Sequence, residues 1–180
     1  MLLPWTEQRP TPNEFGPEIS SSITKREAAW LRANANGKVL EIGAAFGFST
    51  IVMATQPRVK FVVSVDPHET HQSYDPFQEN LAAYKVADKV LPMKVTSDVA
   101  WPLWPSAVFD FVFVDGSHFA DDVVVDALEA WRVTKTGGLL AFHDYGEDTC
   151  PGVEEGLDYW SRQVAERTDL VDTLAIFRVA

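Results

Sequence analysis

Apolar residues along this chain recur at two alternating periods. Short runs, KVLEIG (38–43), KFVVSVD (60–66), FDFVFVDG (109–116) and GGLLAFHD (137–144), are apolar at most positions and read as strands buried on both faces. KVLPMKV (89–95) is a weaker strand, because Pro92 suits an edge. Segments with helical spacing lie between these runs. FSTIVMATQ (48–56) follows the first strand, and DPFQENLAAYKVA (75–87) carries Phe77, Leu81 and Tyr84 at spacings of four and three. ADDVVVDALEAWRVT (120–134) is stopped before Gly137-Gly138, and PGVEEGLDYWSRQVAE (151–166) has Pro151 near its first turn. Ahead of them all, Thr24 and Glu27 form a capping box and Asn36-Gly37 a stop, which predicts one helix from about Lys25 to Ala35. LVDTLAIFRV (170–179) supplies one or two closing strands.

Strands alternating with helices, and apolar on both faces, predict an α/β fold: a doubly wound, mostly parallel sheet of about seven strands with helices on both faces. Residues 1–21 are rich in proline and polar residues and read as an extended arm; residues 22–180 read as a single domain. A length of 180 residues, 46% of them hydrophobic, suffices for one real core. The formal net charge of −11 repels phosphate backbones, so nucleic acid is not an expected partner. A single cysteine, Cys150, forms no internal disulfide and suits a reducing, cytoplasmic setting. The first residues lack a signal-peptide pattern, and no apolar run reaches the length of a membrane span.

Ligands of doubly wound sheets bind beyond the carboxyl ends of the strands. The first such turn is VLEIGAAFGFST (39–50). Gly43 and Gly47 permit sharp bends and close backbone approach. The amides opening the next helix suit an anion, and Ser49 adds a hydroxyl. Asp66 ends the second strand, 23 residues after Gly43, where a carboxylate accepts hydrogen bonds from ribose hydroxyls. A dinucleotide fingerprint needs glycines at 45 and 48, but Ala45 and Phe48 stand there and crowd a pyrophosphate. A ribose-containing ligand with a small carboxylate and no phosphate fits better than NAD. The plainer alternative is a tight strand-to-helix turn and nothing more.

The fourth and fifth strands also end in acids. Asp115 closes the fourth, with His118 three residues on; His143 and Asp144 close the fifth. Neighbouring strands lie about 4.8 Å apart, so Asp115, His143 and Asp144 can converge. Carboxylates with water suit a hard cation such as magnesium, and a histidine among them shifts preference toward manganese, iron or zinc. Either acid could instead cap the following helix. Asp121 and Asp122 favour a helix N-terminus. His68 and His71 have no role beyond lid contacts, and Trp5 and Trp101 are candidates to line a pocket.

The pattern E-I-G-x-x-x-G-x-S, followed by Asp66, FVDGSH and GGLLAFHDY, resembles class I S-adenosylmethionine-dependent methyltransferases, closest to the small-molecule O-methyltransferases of the catechol, sugar and macrolide types. The resemblance runs from about Ile19 to the C-terminus and implies a Rossmann-like fold. It implies cofactor contacts from Glu41, Gly43, Ala45, Gly47, Ser49, Asp66, Ser97, Asp98 and Asp115. Within that set Ser49 would hold the methionine carboxylate, Asp66 the ribose hydroxyls, and Ser97 with Asp98 the adenine. It implies a divalent metal, magnesium or manganese, on Asp115, His143 and Asp144, though His143 stands where many relatives carry a carboxylate. His118 matches the general base. The expected reaction is metal-assisted O-methylation of a hydroxylated small molecule: a vicinal diol, a sugar or a phenol. Alternatives are a metal-independent methyltransferase, a relative with hydroxylase-like or non-catalytic roles, and an NAD-dependent oxidoreductase. Acceptor choice is expected from the arm and the loops near 67–76 and 145–151, and the short arm leaves room for a second subunit in a homodimer.

Overall fold

The structure, a computed structural model, describes residues 19–180. Most of the expected arm, with Trp5, lies outside the described residues. Helix α1 spans Lys25–Asn34, β1 Gly37–Ile42, α2 Phe48–Ala54, β2 Val59–Val65 and α3 Tyr74–Ala83. Then come β3 Val90–Met93, α4 Ser97–Ala100, β4 Phe109–Val114, α5 Ala120–Val133 and β5 Thr134–Phe142. Helix α6, Pro151–Val164, and strands β6, Arg167–Val171, and β7, Leu174–Arg178, complete the order.

The seven strands form one sheet in the order β3-β2-β1-β4-β5-β7-β6. Strands β1 to β5 are parallel; β7 inserts antiparallel between β5 and β6. Leu31 of α1, Ile51 of α2 and Phe77 of α3 pack with Val39, Val62 and Phe111 on one face. Ala127 and Val133 of α5 and Leu157 and Trp160 of α6 pack with Leu40, Val112 and Leu140 on the other. Alternate residues of each strand thus enter opposite cores, which is why the runs are apolar at most positions. Pro92 sits on β3, at the sheet edge as expected.

Two local readings change. Gly137 and Gly138 lie inside β5, which begins at Thr134 directly after α5. Thr134 is already extended and pairs with Phe109, and a side chain at 138 would meet Thr134 and the Asp110 carbonyl. Gly138 serves close strand packing, Gly137 takes a left-handed φ of +80° with open space around it, and α5 ends without either. Trp101, a candidate to line a pocket, is packed into the core, and its Nε1 donates to Asp126 Oδ1 at 2.8 Å.

The register places the strand tips. Ile42 pairs with Val65 and with Val114, and Val114 pairs with Phe142. The next residues, Gly43, Asp66, Asp115 and His143, therefore leave the sheet at one level. The chain order reverses direction between β1 and β4, which opens a crevice at their carboxyl ends.

Candidate functional site

The turn after β1 requires its glycines. Gly43 has φ +83°, and a Cβ there would stand 1.8 Å from the Asp115 carbonyl oxygen. Gly47 has φ +87°, and its Cβ would lie 2.9 Å from the Phe77 ring. Ala45 is also left-handed, at φ +43°. Asp66 closes this turn: its Oδ2 accepts from the Ala44 and Ala45 amides at 2.8 Å each, and its Oδ1 from the His68 amide at 2.5 Å. His68 is buried and reaches Ser73 Oγ at 2.8 Å, so it is built into the loop.

Glu41 lies fully enclosed behind the turn. Its carboxyl accepts from Ser49 Oγ at 2.5 Å, from Ser64 Oγ at 2.8 Å and from Thr50 Oγ1. Burial pushes its pKa up to about 7, against the three hydroxyl donors. The Ser49 hydroxyl thus points inward, toward Glu41. Ser97 and Asp98 open α4 beyond the tip of β3, and the Asp66 amide bonds the Met93 carbonyl at 3.1 Å, joining that tip to β2.

Across the crevice three tip residues meet. His143 Nδ1 lies 3.0 Å from Asp144 Oδ1 and 3.4 Å from Asp115 Oδ1. Neither contact has hydrogen-bond geometry, so the buried Nδ1 sits within ion-pair distance of two carboxylates without a hydrogen bond to either. Asp144 takes a left-handed backbone, φ +62°, which aspartate tolerates better than most residues. Its Oδ2 lies 3.0 Å from His118 Nε2, and His118 Nδ1 lies 3.2 Å from Cys150 Sγ. The remaining nitrogen of His143, Nε2, meets Glu27 Oε2 at 3.2 Å. Burial opposes charge on His143, but Asp115, Asp144 and Glu27 overcome it and hold its pKa well above the usual range. The bond to Asp144 raises the pKa of His118, against burial. Asp144 is held far below the usual carboxylate range by both histidines, despite burial.

The family described as "Methyltransferase domain" matches residues 40–145, which span β1 through the His143-Asp144 tip. The chain belongs to this family. It is a class I, S-adenosylmethionine-dependent methyltransferase, and its fold agrees. Among solved structures, the methyltransferase shares 18% identity with the O-methyltransferase TomG from Streptomyces achromogenes, solved with S-adenosylmethionine, at TM-score 0.68 over 88% of this chain and 82% of that one. It shares 15% identity with an O-methyltransferase from Bacillus cereus, solved with S-adenosylhomocysteine, at TM-score 0.67 over 87% and 82%. Cofactor-bound Rv0187 from MTB gives 23% identity and TM-score 0.70 over 88% and 81%. A comparison with curated protein sequences returns no match. No helix among the described residues is long and apolar enough to cross a membrane.

Within this methyltransferase, Asp115, His143 and Asp144 each offer one ligand atom, all within 4.8 Å of one another. His118, Asp144 and Cys150 form a second such group. Two residues in contact with these groups' histidines were not expected there. Cys150 had suggested only a redox setting, and Glu27 only a helix cap. The capping box is real: the Thr24 side chain accepts from the Glu27 amide at 3.2 Å, and Glu27 Oε2 from the Thr24 amide at 2.8 Å. Nothing in its spacing announces that the same oxygen reaches His143 beside the crevice.

Proposed function

We propose that this methyltransferase transfers the methyl group of S-adenosylmethionine to an oxygen of a small hydroxylated molecule (a vicinal diol, a sugar or a phenol) in the cytoplasm, aided by a divalent metal and by His118 as base. The observation that carries the metal is His143 Nδ1, buried, without a hydrogen bond, and facing the carboxylates of Asp115 and Asp144. Such an atom fits a cation ligand, and two carboxylates with an imidazole suit manganese or magnesium. When bound there, the metal would supply Lewis-acid polarisation of a substrate oxygen. The cofactor would supply an electrophilic methyl on a sulfonium. Gly43 and Gly47 let the cradle turn left-handed against Asp115 and Phe77, and Asp66, already tied to the Ala44, Ala45 and His68 amides, would accept the ribose hydroxyls on its remaining lone pairs.

The chain's own tasks are alignment and proton removal. The new bond joins the acceptor oxygen to the methyl carbon as the carbon–sulfur bond breaks, and the hydroxyl proton goes to His118. Asp144 Oδ2 accepts from Nε2–H, so the free lone pair is on Nδ1, where the Cys150 thiol is only a weak competing donor. Holding the reactants in line can supply roughly 7–11 kcal/mol of the barrier, and a base about 10²- to 10⁴-fold in rate. His118→Ala should lose methyl transfer while binding S-adenosylmethionine normally in calorimetry; full activity would overturn the base assignment.

A second reading drops the metal. The same three carboxylates favour a protonated His143, which would itself balance Asp115 and Asp144. Activity that survives exhaustive chelation, with Asp144→Ala tolerated, would favour it.

A further inference from the structure

The buried carboxylate of Glu27 is saturated with donors. Its Oε1 accepts from the Thr173 amide at 2.9 Å and from Thr173 Oγ1 at 2.8 Å. Its Oε2 accepts from the Thr24 amide and stands against His143 Nε2. Four groups point protons at two oxygens, so only an ionised carboxylate satisfies them; glutamine would turn N–H groups against donors. The seat of Glu27 is built from both ends of the chain. Thr173 lies in the turn between β6 and β7, and Asp172 beside it accepts from Thr24 Oγ1 at 2.7 Å and pairs with Arg26. The Thr173 carbonyl accepts from the amide of Tyr145, next to Asp144.

We propose that Glu27 is the positioning residue of the metal site: by accepting the Nε2 proton of His143 it fixes the ring and its tautomer, and aims the Nδ1 lone pair into the gap between Asp115 and Asp144. Two carboxylate oxygens at 3.0 and 3.4 Å from Nδ1 call for positive charge beside them, and a cation bound by that nitrogen and both acids would supply it. Glu27 thereby builds a carboxylate–histidine–metal triad, in which the outer carboxylate orients the ligand and raises its basicity. The imidazole so prepared favours manganese over magnesium. The inference rests on the metal reading above.

The test is Mn²⁺ binding to the purified chain, followed by the electron paramagnetic resonance signal of the free ion, with no cofactor or acceptor present. Glu27→Gln should weaken Mn²⁺ binding by about 10- to 100-fold. In a His143→Asp background the same change should alter it by less than about twofold, because Glu27 acts only through the ring. An equal loss in both backgrounds would reduce Glu27 to a structural role, and an unchanged affinity in Glu27→Gln would refute the proposal outright. Native protein that binds no Mn²⁺ would instead fail the metal reading, and the proposal with it. Should Glu27→Gln not fold, nitrogen NMR on the native chain loaded with Zn²⁺ decides: the ring proton of His143 is expected on Nε2, and a proton on Nδ1 overturns the proposal.

Discussion

Glu41 ties the stability of this protein to pH in a way that one substitution isolates. The carboxyl is fully buried, and its pKa rises from 4.5 to about 7 because burial disfavours its charged form more than three hydroxyls support it. A raised pKa means that the folded state keeps the proton after the unfolded chain has lost it. The stabilisation is therefore complete below about pH 4.5, is lost as pH climbs through about 7, and stays lost above. A displacement of this size corresponds to about 3 kcal/mol, a sizeable share of the roughly 5–15 kcal/mol that holds a domain together. Glu41→Gln resembles the protonated acid in shape and charge, and the hydroxyls of Ser49, Thr50 and Ser64 can rotate to meet its amide. Urea unfolding from pH 4.5 to 8.5, without cofactor, should show the native protein losing about 3 kcal/mol relative to the variant across that window. The difference between the two curves removes every other titrating group. Parallel curves, within about 0.5 kcal/mol, would refute the reasoning: Glu41 would then be ionised throughout, its three donors outweighing burial.

Other outcomes follow from the same geometry. Gly43→Ala would drive a methyl against the Asp115 carbonyl in a left-handed backbone; a loss above about 3 kcal/mol is expected in urea unfolding. Asp126→Ala strands the buried Trp101 indole N–H and should cost about 1–3 kcal/mol in the same assay. Asp66→Ala removes the acceptor shared by the Ala44 and Ala45 amides, and S-adenosylmethionine affinity measured by calorimetry should fall about tenfold or more.

Much of the architecture was legible because a single physical fact repeats: a strand covered on both faces is apolar at most positions, and a helix covering it only along one stripe. That contrast separates β1, β2, β4 and β5 from the helices between them, and it puts Gly43, Asp66, Asp115, His143 and Asp144 at strand ends. The capping box at Thr24 and the edge placement of Pro92 are equally local and were equally readable. Gly137 and Gly138 were not, because a glycine pair serves a helix stop and a crowded strand alike; only the pairing of Thr134 with Phe109 decides between them.

By itself, then, the sequence determined the alternation of elements, the glycines of the cradle and the residue types at the tips. The tertiary structure alone decided which tips meet. The parallel register sets Ile42, Val65, Val114 and Phe142 level, so residues separated by many tens of positions leave the sheet side by side. It also decided that Glu27, in the helix before the sheet, and Thr173, in the last hairpin, close on His143 from behind. Such contacts arise where elements dock, and local spacing holds no record of docking; it is the burial of both core faces that brings these distant polar groups within 3 Å or so and obliges them to satisfy one another.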